Sequence, residues 1–255
     1  MKSLVCIGDS HASFFSGEDK VQPEYPASSD NRIPYLEGVR LGAVLAYSLH
    51  REQTQHRGRE KLFEILSRTD PATSGIVLAF GEIDCRWHLL KQAETRSLPL
   101  KEVVTECVDK YFQVVLEVRN MGYETMVWNS IPTTYEGTNP DYPHYGTHLQ
   151  RNECTRLFNG LLAEKCKKEK IFFIDIFDKL VDRKNYTKQY YLFDGAHLGQ
   201  LAMPFFISRI RTLYPHIRLP SGGKVKWVYQ FAQIYTNRKF IDLKRWIKWN
   251  LKLHS

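Results

Sequence analysis

Ser10, Asp194 and His197 are the residues whose types and spacing could do chemistry together. Ser10 stands in Gly8-Asp9-Ser10-His11, directly after an apolar run, and the other two stand in Asp194-Gly195-Ala196-His197 near the far end of the chain. A serine hydroxyl is a weak nucleophile until a base takes its proton. A histidine three residues after an aspartate can take it at one ring nitrogen while the carboxylate orients the other. The combination suits serine-dependent acyl transfer. Each tetrapeptide alone also has a plainer reading: Asp and Ser are common helix-start residues, and an N-cap aspartate followed by a surface histidine has the same spacing. Ser10 at a strand end, where glycine lets the backbone tighten, favours the nucleophile, because the amides after such a turn can stabilise an oxyanion.

Two turns so far apart in sequence must be brought together by a scaffold. Residues 3–7, 75–80, 124–128 and 171–174 are apolar runs that read as buried strands. Each ends in polar residues: Gly8-Asp9-Ser10, Gly81-Glu82-Ile83-Asp84, Asn129-Ser130-Ile131-Pro132 and Asp175. Helical patterns over roughly 37–50, 58–68, 100–121, 149–168 and 200–214 lie between and after them. Alternating strands and helices predict an α/β fold with a parallel sheet covered on both faces, whose ligands bind beyond the carboxyl ends of the strands. Three connections are long: 16–34, 133–147 with Tyr135, Tyr142, His144 and Tyr145, and 181–193 with Tyr186, Tyr190 and Tyr191. Their rings either offer stacking faces to a sugar or acyl group or anchor the loops to the body.

At 255 residues the chain has room for one sizeable core and no repeat that would split it. The net charge of +8 is unevenly placed: residues 224–255 carry eight Lys or Arg against Asp242, which leaves the remainder near +1. This divides the chain into a main domain, 1–223, and a basic, aromatic extension, 224–255. On a helical wheel Phe240, Leu243, Trp246, Ile247 and Trp249 face away from Arg238, Lys244, Arg245 and Lys248. Such an amphipathic segment docks on its own domain, on a second subunit or on an anionic membrane surface. It contains no base-reading module, so no nucleic-acid partner is expected. Cys6, Cys85, Cys107, Cys154 and Cys166 are scattered without a C-x-x-C pair and read as reduced thiols. The first residues lack a signal-peptide pattern and no run reaches transmembrane length, which points to the cytoplasm, with peripheral membrane attachment through the extension as the variant.

Over about residues 2–214 the chain resembles the SGNH, or GDSL, hydrolase family. Gly8-Asp9-Ser10 matches the family's nucleophile block, and Asp194-x-x-His197 matches its last block in roles and order. The resemblance implies a three-layer, flavodoxin-like sandwich around a central parallel sheet. It also implies oxyanion donors at the Ser10 amide and at a second-block glycine, for which Gly42 is the first choice and Gly38 the competitor, together with Gly81. The third block departs from the pattern. Family members show Gly-x-Asn-Asp, whose asparagine donates to the oxyanion; here the run is Gly81-Glu82-Ile83-Asp84-Cys85-Arg86, which resembles an atypical subgroup, and Ile83 cannot donate. Arg86, His88 and Asn129 are candidate replacements, with a salt bridge to Glu82 or Asp84 as the other role for Arg86. Glu82 is expected to face away from the anion or to be paired.

Asp9-x-His11 and Asp84-x-x-x-His88 raise the question of a metal, but no further ligand set completes a site and no Gly-Asn-His segment exists, so neither metal nor cofactor is expected. The reading that follows is a serine esterase acting on acyl, chiefly acetyl, esters of a small molecule or glycan through an acyl-enzyme at Ser10. Asp84, Arg86, Tyr135 and Tyr145 are the candidate substrate contacts. A glycan O-acyltransferase with the same triad, or a non-catalytic glycan- or partner-binding protein on a hydrolase scaffold, are the alternatives.

Overall fold

The computed structural model describes residues 1–135 and 142–219; the extension 224–255 and the amphipathic segment expected there lie outside the described residues. Five strands, β1 (Ser3–Gly8), β2 (Leu36–Arg40), β3 (Ser74–Ala79), β4 (Glu124–Trp128) and β5 (Phe172–Ile174), form one sheet in the order β2-β1-β3-β4-β5. Every neighbouring pair is parallel. The central strands are apolar on both sides because both faces are covered. Val5, Ile7, Ile76 and Leu78 point into one core layer, while Leu4, Cys6, Val77 and Ala79 point into the other.

Helices α1 (Gly58–Ser67), α2 (Leu89–Thr95), α3 (Leu100–Asn120) and α4 (His148–Lys168) follow the chain order around these strands. In α3 the buried residues Val104, Val108, Tyr111, Val115 and Val118 recur every three or four positions, which puts them on one face of a helix. Thr147 starts α4 with a capping box to Gln150. The opposite layer holds a 3-10 helix, Ser10–Ser16, the short α5 (Phe177–Leu180) and α6 (Met203–Ile210), with Phe14, Phe15, Trp128 and Phe206 meeting in ring contacts.

One expected helix is a strand. Residues 37–50 form most of β2 and then an irregular segment, because Leu36 to Arg40 pair with Leu4 to Gly8 at the edge of the sheet. A Cβ at Gly38 would lie 2.6 Å from the Ala12 carbonyl oxygen, so this strand carries the 3-10 helix directly on its face. Gly42, at φ +101°, then turns the chain out of the strand. The expected helix 200–214 is shorter, a 3-10 turn at Gln200–Ala202 leading into α6. The five cysteines are buried and unbridged.

The strand order reverses between β1 and β3, where the chain leaves β1 toward β2 on one side and returns to β3 on the other. Open α/β sheets bind ligands in the crevice at such a point. Ser10 follows β1 and Gly81 to Asp84 follow β3, so the two turns border it.

Candidate active site

Ser10 is the first residue of the 3-10 helix, one peptide beyond the N-cap Asp9, whose Oδ1 accepts the His11 amide at 2.8 Å. Gly8 makes the turn fit: a Cβ there would lie 2.1 Å from the Ala79 carbonyl oxygen of β3. Across the crevice, Phe193 N donates to His197 O and Leu192 bridges Leu198, so residues 193–197 form a tight loop with Gly195 at φ +92°. Asp194 Oδ1 closes it by accepting the amides of Ala196 at 2.9 Å and His197 at 2.7 Å.

The three sequence candidates meet. Ser10 Oγ lies 2.9 Å from His197 Nε2, and His197 Nδ1 lies 2.6 Å from Asp194 Oδ2, although Ser10 and His197 are 187 residues apart. Partial burial pushes the Asp194 carboxyl up, but the His197 hydrogen bond and charge, with the two backbone amides, hold it well below the ordinary carboxylate range. Three rings surround the imidazole: His11 at 4.8 Å, Tyr142 edge-on at 5.1 Å and Phe193 stacked at 5.8 Å between centroids. The Tyr142 hydroxyl is also 3.5 Å from Asp194 Oδ2.

Glu82 is buried and paired. Arg86 Nε donates to its two oxygens at 2.8 and 3.2 Å, and His11 Nε2 lies 3.1 Å from Oε2. Burial raises its pKa, yet the Arg86 charge and then His11 hold it down to about 2.

Other candidates are placed elsewhere. Asp84 is fully buried and accepts the amides of Ala46 at 2.8 Å and Tyr47 at 3.2 Å; it anchors the segment after β2 and is not a substrate contact. Asn129 Nδ2 donates to the Ser130 carbonyl while its Oδ1 accepts the Ile176 amide, tying the end of β4 to the segment after β5. Arg86 takes the salt-bridge role: besides Glu82 it bonds the Pro143 carbonyl and lies over the Tyr142 ring. His88 is half-buried, and among the described residues no hydrogen bond, ion pair or ring contact joins it to Ser10 or His197. Tyr135 packs on His148 and Tyr186, and Tyr145 bonds Glu94 and meets Trp87, so both hold their loop to the body.

Among the glycines, Gly38 lies within β2 and donates its amide to Asn31, which removes it from the site. Gly42 and Gly81 both lie just past strand ends at the crevice. Leu41 N bonds Gly8 O, which sets Gly42 beside the start of the Ser10 turn. A side chain at Gly81 would be 2.7 Å from the Phe158 ring. Ile83, where the family pattern has its asparagine, is half-buried and belongs to neither core layer. Among the described residues no group of three His, Cys, Asp or Glu stands close enough to hold a metal ion, and no helix is long and apolar enough to cross a membrane. His11 and Tyr142 are the site residues whose place against His197 sequence reading did not anticipate, since it weighed His11 only as a metal ligand and Tyr142 only as one ring of a long loop. The position of His11 directly after the nucleophile was the available signal for it; Tyr142 carried only the general signal of a ring in a long loop.

The fold and this constellation define a class. Among solved structures the chain is similar to one described as a platelet activating factor from Streptococcus pneumonia, at 18% identity over 83% of each chain with a TM-score of 0.51. A structure described as an acylhydrolase, from Bacteroides fragilis NCTC 9343, is similar at 15% identity over 85% of this chain and 88% of that one, TM-score 0.51. A GDSL-like lipase from Bacteroides thetaiotaomicron VPI-5482 follows at 12% identity over 84% and 88%, TM-score 0.50. No protein-family model and no curated protein sequence matches. The chain has the fold of the SGNH/GDSL hydrolases.

Proposed function

We propose that this protein is a serine carboxylic-ester hydrolase working through an acyl-enzyme at Ser10. The observation that carries the reading is the unbroken line from Ser10 Oγ through both nitrogens of His197 to Asp194, at 2.9 and 2.6 Å. With Asp194 accepting from Nδ1–H, Nε2 carries the lone pair that faces Ser10. Ser10 Oγ attacks the ester carbonyl carbon and its proton passes to Nε2. The tetrahedral oxyanion then collapses, the carbon–oxygen bond to the alcohol breaks, and Nε2–H returns the proton to the leaving oxygen. Water, deprotonated by His197, attacks the acyl-Ser10 ester; the acid leaves and Ser10 recovers its proton.

The Ser10 amide, with those of Gly42 and Gly81, supplies the oxyanion donors in this reading, and Ile83 contributes none. The fold likeness to lipases and acylhydrolases supports ester chemistry. An acetyl ester of a carbohydrate is the preferred substrate, since the half-buried rings of Tyr142 and Phe193 border His197 and make a small acyl group, rather than a long chain, the simplest fit; the sugar is proposed from the aromatic residues of the surrounding loops. Hydrolysis of an aryl acetate that disappears in Ser10→Ala is the expected result; activity surviving that change overturns the mechanism. Incubation with an acyl donor and candidate glycans reads the acyltransferase alternative directly, as acylated glycan in place of free acid. A folded chain whose Ser10 ignores a fluorophosphonate probe would instead be a binding protein on a hydrolase scaffold, the reading that Ile83 keeps in view.

A further inference from the structure

His11, the residue after the nucleophile, is held more firmly than a turn residue needs to be. Its Nε2 faces Glu82 at 3.1 Å, Glu82 is bound through both oxygens by Arg86, and all three side chains are buried. A carboxylate acceptor fixes the His11 proton on Nε2 and leaves Nδ1 as an acceptor. Among the described residues Nδ1 is buried without a hydrogen-bond partner, and so are Asp9 Oδ2 and Ser130 Oγ. Asp9, His11 and Ser130 line one cavity of about 10 Å³, walled also by Glu82 and Asn129. That volume suits a single water and nothing larger, and three orphaned polar atoms give such a water its usual number of partners. A water there would donate to His11 Nδ1 and accept from Ser130 Oγ–H. Burial, opposed by the His11 amide, raises the Asp9 carboxyl well above its ordinary range, so Asp9 can also donate to it from Oδ2.

The His11 ring lies 4.8 Å from the His197 ring with the planes tilted by 40°. Ser10 and Asp194 hold His197 at its two nitrogens, and two in-plane contacts leave the ring able to rock about the line joining them. A contact against the ring face stops that motion; Phe193 stacks on the ring at 5.8 Å and His11 meets it more closely, at 4.8 Å. We propose that His11 is a positioning residue for His197, fixed at Nε2 by Glu82 and at Nδ1 by one buried water shared with Asp9 and Ser130. This rests on the reading of Ser10 and His197 as nucleophile and base. It also gives Glu82 and Arg86, which flank Ile83 in the atypical third motif, a shared task.

The test uses the full chain and three variants, His11→Ala, His11→Phe and Ser130→Ala, with folding checked by circular dichroism. His11→Ala is expected to slow aryl acetate turnover and fluorophosphonate labelling of Ser10 together by about 10- to 100-fold with KM unchanged, the scale of a small misplacement of a reacting group. His11→Phe, which restores a ring face without the nitrogens, is expected to fall between that variant and the native chain. The His197 Nδ1–H proton, seen by NMR as a sharp downfield resonance, is expected to broaden in His11→Ala. A high-resolution crystal structure should show one water within hydrogen-bond reach of His11 Nδ1, Asp9 Oδ2 and Ser130 Oγ.

Unchanged labelling and an unchanged His197 resonance in folded His11→Ala overturn the proposal, and a dry cavity overturns the water's part in it. If His11→Ala does not fold, Ser130→Ala carries the same measurements: slower labelling supports the proposal and an unchanged rate with an unchanged resonance overturns it. A native chain that neither hydrolyses nor labels overturns the esterase reading instead, and the His197 resonance then decides the bracing alone.

Discussion

Asp194 and His197 are joined twice: Oδ2 lies 2.6 Å from the His197 ring at Nδ1, and Oδ1 accepts the His197 backbone amide at 2.7 Å. One carboxylate therefore shapes the loop with one oxygen and orients the base with the other. Asp194→Asn keeps the size but can present an N–H to Nδ1, which favours the wrong tautomer. We expect kcat for an aryl acetate to fall by about 10³- to 10⁴-fold with little change in KM, measured at a pH where the native enzyme is fully active.

Ile83 makes a reciprocal prediction. An oxyanion donor is worth about 2.7 to 4 kcal/mol in an enzyme that relies on it. If the side-chain position after Gly81-Glu82 still faces the oxyanion, Ile83→Asn should raise kcat by ~10-fold or more and leave KM in place. No gain in a folded variant would show that backbone donors already complete the site, or that the turn has moved away from it.

Gly8→Ala tests how the nucleophile's turn is built. Its new Cβ would sit 2.1 Å from the Ala79 carbonyl oxygen, so β1 and β3 must separate just before Ser10. Thermal unfolding should show a loss of about 1 to 3 kcal/mol, the usual cost of forcing extra volume into a packed region. Labelling of Ser10 by a fluorophosphonate should slow in the same variant, because the hydroxyl moves with the turn. Native labelling with native stability would contradict the close approach.

Asp84 and Glu82 should act on stability at opposite ends of the acid range. Burial raises the Asp84 carboxyl from 3.8 to about 6, against the backbone bonds of Ala46 and Tyr47 that favour its charge. The folded state thus binds a proton that the unfolded chain has lost, so this group's contribution declines as pH rises from 3.8 through about 6. Glu82 is the reverse: its pKa falls from 4.5 to about 2, and its contribution is present above 4.5 and lost as pH falls toward 2. Urea unfolding across pH should show Asp84→Asn lacking the decline above pH 3.8 and Glu82→Gln lacking the loss below pH 4.5. Profiles parallel to the native one would refute both assignments.

Much of this was legible from residue order. The apolar runs announce β1, β3, β4 and β5, since strands covered on both faces must be apolar throughout, and Ser10, Asp194 and His197 could be named because nucleophile, acid and base are recognisable by type and motif. β2 was not legible. Its Leu, Val and Gly residues also fit a helical period, and their pairing with β1 is a long-range event. The same holds for the polar residues near the site: Asp84, Arg86 and Asn129 have side chains suited to substrate or oxyanion contact, and only their partners, Ala46 and Tyr47, Glu82, and Ile176, show where their hydrogen-bonding capacity is used.

By itself the sequence determined the types of the reacting groups and the alternation that makes a parallel sheet, because both are local in the chain. The tertiary structure decided that Ser10 and His197 stand 2.9 Å apart, that His11 pairs with Glu82, and that His11 meets His197. Those are distances between segments far apart in the chain, set by strand order and packing, and no local pattern encodes them.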